Sequence, residues 1–508
     1  MDAKQRPVAT ACKLILNWDG GPTGFSHYPM APEQLAHWAV GQFADTQIDA
    51  VSWCASEDGN TVSWKSDQFE LYGEGSNFTD RISHQWRYFA NVKHMVDSGI
   101  DPPGVIAEAC KRHGMVSLFS LRVNDSHDAH GGMAVPKIKR EHPEWMHGEG
   151  HSSATALDYS RFEVREYKKA LVREFFEKFD FDGLELDWLR DDCNLPDLLG
   201  YQHRYAITDW VADLRAMLDE MGKLRGRPIQ IAVRVPETIE GCRLAGLDAP
   251  DWIVRRLIDH LILGNGAVEY RLDPWRDMCQ AAGVRVYPCL YGWCNDYGVR
   301  LGNPPCNDEV LRGTAARTWE QHPDGLYLFN MYPTEGFRMD LMHQIGSPET
   351  LAGNSKRFAA EVSNRDHRGY KNVWYYSPLP VRLERTHASG PTIPITVTDD
   401  VAGAARAGKL ASVAIEVSFH QVTPELDEIE FTFNGRRLQR EGTILPKTLL
   451  GHGSDLVLAY GHETWVLRPA PESFNIGSNE LVVTLKHRNP AITSPLEIHR
   501  CEIVVEYL

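Results

Sequence analysis

Two acidic residues, Glu185 and Asp187, stand two positions apart in the apolar segment 181–188, which reads FDGLELDW. Alternate side chains of a β-strand point to opposite faces, so both carboxylates lie on one face of the predicted strand. A buried carboxylate needs a partner or a raised pKa, and such pairs are more often catalytic or ligand-binding than structural. The pattern therefore predicts acid-base chemistry, with a structural ion pair to Arg190 and Arg234 as the alternative.

Further polar residues stand where other strand-like runs end. Asn17 and Asp19 share one side at the end of the first run, and Arg122 and Asn124 follow the third run in the same way. Active sites of α/β barrels lie at the carboxyl ends of the strands, so these side chains should converge there. The predicted substrate-binding residues are Asn17, Arg122, Asn124, His130, Glu185, Arg190, Arg234, Trp293, Asn330 and Tyr332.

Arginine and histidine residues indicate the charge of the ligand and the source of a proton. Arg122, Arg190 and Arg234 end three neighbouring strands, which favours an anionic ligand. The long loop after the third strand carries His127 and His130, and an unperturbed imidazole titrates at about pH 6.5. The chain has neither HExxH nor Cys and His pairs at zinc-ligand spacing, so we expect no metal and no other cofactor.

Strand-like and helix-like runs alternate from residue 13 to about residue 345, and eight strands can be counted. Eight parallel strands close a (β/α)8 barrel, so we predict an α/β fold with a TIM barrel over residues 1–346. Helices are predicted at Pro32–Phe43, Phe162–Phe179, Ala206–Met221 and Asp308–Gln321. The predicted strands are Lys13–Trp18, Gln47–Trp53, Met115–Arg122, Gly183–Trp188, Ile229–Val235, Asp259–Leu263, Val284–Leu290 and Gly325–Asn330.

The pattern changes after about residue 370 to short alternating strands with turn signals, among them the hairpin signal Asn434-Gly435. We interpret residues 371–508 as a C-terminal β-sandwich and residues 347–370 as a helical connector. Nothing in the sandwich marks a ligand site, so we favour a role in homodimer contacts over a sugar-binding module. Its predicted strands include Thr392–Thr398, Val413–Phe419, Ile429–Phe433, Glu480–Leu485 and Ile503–Tyr507.

Composition argues against several classes of function. A formal net charge of −16 and the lack of a long basic run argue against a nucleic-acid partner. No segment approaches the roughly 20 apolar residues of a membrane span, and the N-terminus lacks the apolar core of a signal peptide. The ten cysteines show no CxxC spacing and fit neither a zinc ribbon nor a disulfide framework. We therefore expect a soluble cytoplasmic protein.

Segment 181–188 resembles the chitinase signature DGxDxDxE, with Asp182, Glu185 and Asp187 at matching positions. Leu189 stands where chitinases have their acid. Because leucine cannot protonate a leaving group, the substrate-assisted chitinase mechanism is not expected here.

The whole chain more closely resembles the inverting exo-sialidases of glycoside hydrolase family 156. The shared pattern is a fourth strand of the form DG-hydrophobic-x-hydrophobic-D, preceded by the segment 157–160 (LDYS) and by a helix at Val164–Phe179. The resemblance implies hydrolysis of terminal sialic acid from sialylated glycans, by a His acid and an Asp base without a covalent intermediate. An arginine on the sialic-acid carboxylate would fit that chemistry, because a guanidinium matches a carboxylate in bidentate geometry.

By position, the resemblance implies Asp19 as the base and His127 as the acid, with His130 as the alternative acid. Asp187 is a further catalytic candidate. Two other functions stay open. Glu185 and Asp187 could serve a neutral-sugar glycosidase, or the chain could bind glycans without cleaving them, as chitinase-like proteins do when the acid is lost.

Overall fold

The computed structural model describes residues 8–18, 20, 25–56, 58–75, 83–130, 135–151, 153–190, 194–196, 200–292, 307–362, 377–386, 388–444 and 462–508, without the side chains of Ser83, His84, His130 and His462. Within these ranges a closed barrel of eight parallel strands precedes two antiparallel sheets. The predicted TIM barrel with a C-terminal β-sandwich domain is confirmed.

The barrel strands pair in sequence order, and pairing of the last strand with the first closes the ring. Each of the eight predicted strands overlaps one observed strand, because strands buried on both faces are recognisable as short, nearly continuous apolar runs. The strands are β1 (Leu14–Trp18), β2 (Ile48–Ser56), β3 (Val116–Arg122), β4 (Gly183–Asp187), β5 (Gln230–Val235), β6 (His260–Leu263), β7 (Arg285–Tyr291) and β8 (Leu326–Phe329).

Helices between the strands bury their apolar sides against the outside of the barrel. All four predicted helices are found, although the one predicted over Ala206–Met221 is longer at both ends. Short helices α11 (Met339–Met342) and α12 (Pro348–Leu351) follow β8. The longer and intervening helices are α1 (Pro32–Ala39), α2 (Ser83–Asp97), α3 (Pro102–His113), α4 (Lys137–Glu141), α5 (Phe162–Lys178), α6 (Gly200–Arg225), α7 (Ile239–Leu244), α8 (Ala249–Val254), α9 (Asp273–Ala282) and α10 (Asp308–Trp319).

The barrel interior changes from apolar to polar towards the carboxyl ends of the strands. On β1, β2 and β3, the inward apolar residues Ile15, Ala50 and Leu118 are each followed two positions later by an inward polar residue. These polar residues are Asn17, Ser52 and Ser120, and all three are buried. Asn17 Nδ2 donates to Ser120 Oγ at 3.1 Å, a contact between two strands that are not neighbours and that therefore crosses the interior. The apolar interior cluster includes Ile15, Ala50, Leu118, Ala232, Ile262, Tyr287 and Cys289.

Two antiparallel sheets enclose a second apolar core in the C-terminal domain, which also carries a short helix, α13 (Val401–Arg406). The predicted hairpin is present, with φ angles of 47° at Asn434 and 79° at Gly435. The strands are β9 (Lys356–Ala359), β10 (Val381–Leu383), β11 (Thr392–Val397), β12 (Leu410–His420), β13 (Glu428–Phe433), β14 (Arg436–Leu438), β15 (Arg440–Ile444), β16 (His462–Leu467), β17 (Gly477–His487) and β18 (Leu496–Tyr507).

The segment predicted as a helical connector, 347–370, differs from that prediction. Only α12 is helical among its described residues, and β9 pairs antiparallel with β18 of the C-terminal sheet. Phe358 is fully buried in the core between the sheets, so a contact with a strand that lies far along the chain decides its conformation. Residues 363–370 lie outside the described part.

The C-terminal domain contacts the barrel through β9 and α10. Gly313 of α10 has no side chain, and a Cβ there would lie 2.1 Å from the Arg357 carbonyl oxygen. The Arg357 guanidinium forms ion pairs with Glu309 of the barrel and with Glu416 and Glu502 of the sheet, at 3.0, 2.7 and 2.8 Å. Close backbone packing and paired charges therefore join the two domains.

No helix in the described ranges combines the length and the apolar character needed to cross a membrane. The described cysteines are all buried free thiols: Cys12, Cys54, Cys110, Cys242, Cys279, Cys289 and Cys501.

Candidate active site

Asp187 and Arg234 form a buried bidentate ion pair where β4 and β5 end. Arg234 Nε and Nη2 donate to the two carboxylate oxygens, each at 2.9 Å, and the main-chain N–H of Leu189 donates to Oδ1 at 2.9 Å. The guanidinium also lies over the Phe329 ring, 3.9 Å from its centroid. Burial alone would lower the pKa of Arg234, but the charge of Asp187 raises it overall. The predicted structural ion pair is thus present with Arg234.

Glu185 lies one inward position below this pair and is completely buried. Ser52 Oγ donates to its Oε2, and the hydroxyl of Tyr327 donates to its Oε1 at 2.6 Å. Burial, and secondly the nearby charge of Asp187, raise the pKa of Glu185 to about 7 against the opposing effect of the two hydrogen bonds. Near neutral pH this carboxyl group therefore carries a proton for much of the time, in place of a counter-charge.

Asp125, which the sequence analysis did not single out, joins three of its candidate residues. Its Oδ1 accepts from the main-chain N–H of His127 at 2.9 Å and contacts the His127 Nδ1 at 2.8 Å. Its Oδ2 lies 3.3 Å from Arg122 Nη1 and 3.8 Å from Arg190 Nε. A signal was present in the sequence, since an acid two residues before a candidate histidine is well placed to orient its ring.

The protonation state of Asp125 decides which ring nitrogen of His127 can exchange a proton with a ligand. Burial acts to raise the pKa of Asp125, but the hydrogen bond from His127 and the charges of Arg122 and His127 bring it well below its usual range. An ionised carboxylate only accepts hydrogen bonds, so Nδ1 of His127 must carry the proton between them. Nε2 is then the nitrogen that can exchange a proton with a substrate. The His127 side chain is 44% exposed, whereas that of Asp125 is 1% exposed.

The three candidate arginines differ in how much of their hydrogen-bonding capacity is already used. Arg234 is bound to Asp187, and Arg122 is almost fully buried with Nη1 on Asp125. Arg190 is 18% exposed and donates no hydrogen bond to any other residue that the structure describes. Its guanidinium is therefore the best placed of the three to bind an anionic group of a ligand.

Two predicted substrate-binding amides have partners within the protein. Asn17 donates to Ser120 inside the barrel. Asn124 exchanges two hydrogen bonds with the main chain of Leu157, at 2.9 and 3.0 Å, and so holds the two ends of the loop after β3 together. For both residues a contact with substrate stays a prediction.

Asn330 and Tyr332 follow β8 and lie side by side. The Tyr332 hydroxyl donates to Asn330 Oδ1 at 2.8 Å. The rings of Tyr332 and Trp18 pack in a T-shaped arrangement with their centroids 6.2 Å apart. Asn330 and Tyr332 have left-handed backbones, with φ of 47° and 45°, a costly conformation for residues other than glycine that clusters at functional sites. Their geometry is compatible with the predicted role in substrate binding.

Three predictions fall outside the described residues: Asp19, Trp293 and the side chain of His130. Among the residues that are described, no group of three or more His, Cys, Asp or Glu side chains is placed to hold a metal ion. Besides Asp125, Ser52 and Tyr327 contact the candidate site residues but were not predicted to do so. Strand alternation could have found both, since Ser52 shares its face with Ala50, and Tyr327 points inward from β8.

No protein-family model matches this sequence, and no curated protein does. Distant structural neighbours are glycoside hydrolases. The glycoside hydrolase domain of PgaB (BpsB) from Bordetella bronchiseptica is 13% identical with a TM-score of 0.42, covering 67% of this chain and 99% of that domain. α-L-Fucosidase isoenzyme 2 from Paenibacillus thiaminolyticus is 13% identical with a TM-score of 0.42, covering 69% of this chain and 52% of that enzyme. Chitinase ChiA74 from Bacillus thuringiensis is 7% identical with a TM-score of 0.38, covering 96% and 100%. Similarity this distant assigns no activity.

The raised pKa of Glu185 predicts a specific dependence of stability on pH. The folded protein keeps the Glu185 proton up to about pH 7, whereas the unfolded chain releases it near the ordinary value of 4.5. The free energy of unfolding should therefore fall as pH rises through this window, by about 3 kcal/mol relative to Glu185→Gln, and the difference should be constant above it. Urea denaturation of both proteins between about pH 4 and about pH 8 measures this difference.

A second variant checks the cause of the shift. The hydroxyl of Tyr327 stabilises the ionised carboxylate, so Tyr327→Phe should raise the pKa of Glu185 further and extend the pH window upwards. Parallel stability curves for the wild type and Glu185→Gln at all pH values would show that Glu185 titrates normally.

Proposed function

We propose that this protein is a glycoside hydrolase that releases terminal sialic acid from glycans by a single inverting displacement. The observation that carries the proposal is the shared contact of Asp125 with His127 and Arg190 at the mouth of the barrel. One buried carboxylate thus contacts both an imidazole that could donate a proton and a guanidinium that donates no hydrogen bond to any residue in the described ranges. A substrate that carries a carboxylate beside the bond to be broken needs both groups.

In this mechanism His127 is the Brønsted acid. Its Nδ1–H donates to Asp125, and its protonated Nε2 gives a proton to the oxygen of the departing sugar as the glycosidic bond breaks. The Asp125 carboxylate accepts from Nδ1–H and so fixes the orientation of the ring during the transfer. After reaction the neutral imidazole regains its proton from solvent, to which nearly half of the side chain is exposed.

The base of the proposed mechanism is Asp19, which follows β1. It would accept a proton from a water molecule that attacks the anomeric carbon from the face opposite the leaving group. The sialic-acid carboxylate would bind Arg190 in a charge-assisted, bidentate contact. The assignment of Asp19 rests on the resemblance, and that of Arg190 on guanidinium donors that no described residue accepts.

The neutral-glycosidase alternative requires Glu185 and Asp187 to face a sugar. Glu185 is completely buried, and both oxygens of Asp187 accept hydrogen bonds from Arg234. In this geometry the pair is better suited to supporting the floor of the site than to reacting with substrate. The binding-protein alternative differs from the proposal only in turnover.

Proton NMR of α2,3-sialyllactose mixed with the purified protein tests the activity and its stereochemistry. An inverting enzyme should release the β-anomer of sialic acid first, with the α-anomer growing in later through mutarotation. Initial release of the α-anomer would show retention and exclude a direct attack by water. Binding without any released sialic acid would favour the non-catalytic alternative.

The effect of removing His127 on the rate of hydrolysis should depend on the leaving group of the substrate. His127→Gln should slow hydrolysis of sialyllactose by about 10²- to 10⁴-fold, but an aryl sialoside with a good phenolate leaving group far less, because a phenolate leaves without a proton. Asp125→Asn should act in the same direction, because it removes the negative charge beside the ring and turns an amide N–H towards the Arg122 and Arg190 guanidinium groups, which displaces the carboxamide from His127. Steady-state kinetics on both substrates measures the contrast.

His142→Gln is a matched control for these variants, since His142 is an exposed histidine of the same loop and stacks on Trp145. It should leave both rates unchanged. Equal losses on both substrates in His127→Gln would mean that His127 is not the acid.

Arg190→Gln should weaken recognition of the substrate carboxylate. We expect kcat/KM for an aryl sialoside to fall by about 10- to 100-fold, the usual value of a charge-assisted hydrogen bond. The methyl ester of the same substrate should be a poor substrate for the wild type, and Arg190→Gln should hardly affect its hydrolysis. Arg161→Gln, which changes an exposed arginine, is the control. An equal loss on acid and ester would assign carboxylate binding elsewhere.

A further inference from the structure

His127 begins a short 3-10 helix, His127–His130, whose buried side contacts a lysine of the same loop. This residue is Lys139 of α4. Its Nζ donates to the main-chain carbonyl of Asp125 at 2.9 Å and to Asp128 Oδ1 at 3.0 Å. The side chains of Lys139 and Asp128 are only 1% and 3% exposed. The ammonium group thus contacts the chain on both sides of His127.

We propose that Lys139 is a positioning residue for the acid His127. It fixes the main chain at Asp125 and the side chain of Asp128, and the turn between them determines where the imidazole lies. With its backbone fixed, the Asp125 carboxylate meets both the N–H and the ring Nδ1 of His127. This inference rests on the proposed function, because it assigns Lys139 a role in the proton transfer by His127.

The buried ion pair between Lys139 and Asp128 is better suited to fixing the position of the loop than to stabilising the fold. Burying an ammonium and a carboxylate costs several kcal/mol each, and their attraction often does no more than offset that cost. Asp128 has one further bond, from Thr155 Oγ1 at 3.1 Å to Oδ1, whereas its buried Oδ2 has no hydrogen-bond partner among the described residues. Such a pair adds little net stability, but it restricts the loop to the arrangement in which both charges are matched.

Neighbouring charges on α4 face outwards and supply a matched control. Lys137 is 58% exposed and makes a long ion pair with Glu141 at 3.8 Å. Arg140 is 40% exposed and binds Glu70 at 2.8 Å. A Lys137→Met substitution therefore removes a charge and an ammonium from the same helix without touching the turn that carries His127.

The expected effect of Lys139→Met is a selective loss of acid catalysis. We expect kcat for sialyllactose to fall by about tenfold or more, with KM within about twofold of the wild type and little change on the aryl sialoside. In an Asp125→Asn background the same substitution should have little further effect, since His127 is already misaligned. Lys137→Met should match the wild type. Equal losses on both substrates, or full additivity with Asp125→Asn, would overturn the proposal.

Removing Lys139 alone leaves the Asp128 charge buried without its partner, which can prevent folding. The double variant Lys139→Met with Asp128→Asn removes both charges and keeps an acceptor for Thr155. It should fold with a Tm near that of the wild type and show the same selective loss on sialyllactose. A double variant that folds and retains full sialyllactose turnover would rule the proposal out.

NMR of the full chain labelled with 15N-histidine separates this proposal from the proposed function. The His127 resonances, assigned by their loss in His127→Gln, report which ring nitrogen carries the proton. The double variant should shift them towards the positions that they have in Asp125→Asn, whether or not any sialoside is cleaved. Unchanged His127 resonances would refute the positioning role, whereas a shift in a protein that cleaves no sialoside would refute only the proposed function.

Discussion

The inward side chains near the carboxyl ends of the barrel strands are buried, so an acidic group there needs a counter-charge or favours its protonated form. Asp187 has a counter-charge, because both of its oxygens accept hydrogen bonds from the Arg234 guanidinium. For Glu185, burial raises the pKa and so favours a proton, because the nearby arginine is already bound and the hydroxyls of Ser52 and Tyr327 are neutral. Isolated charges in a medium of low polarity are very costly, and the polar half of the barrel is organised around avoiding them.

At the mouth of the barrel a buried carboxylate also needs partners, but there one of the partners is exposed to solvent. Asp125 is as buried as the interior acids, but its partners include His127, which is partly open to solvent. Exposure thus rises from the completely buried Glu185 to the half-exposed imidazole. Of these acid–base groups, the imidazole is the one that a bound molecule could reach, while the groups below it fix the shape of the floor. The candidate chemistry and the rigid support therefore occupy different depths of the same barrel.

The loop after β3 is long, and contacts among its described residues join several parts of it. Asn124 binds the main chain of Leu157, Lys139 binds the turn at Asp125, and Asp128 accepts a hydrogen bond from Thr155. Long loops that pack on themselves in this way are frequently functional. Here the loop supplies the candidate acid together with the residues that orient it, so the geometry of the acid depends less on the rest of the barrel.

Sequence alone determined the eight barrel strands, the inward face of β4 and the concentration of Arg and His residues at the carboxyl ends. These features follow from local periodicity, which short segments carry by themselves. Tertiary structure decided which groups are partners. Glu185 contacts Ser52 and Tyr327, which are 133 and 142 residues away, and β9 became a strand only by pairing with β18. It also decided that Arg234 is bound to Asp187, while Arg190 donates no hydrogen bond to the residues that the structure describes. Burial and pairing are set by contacts between distant segments, and no local pattern contains them.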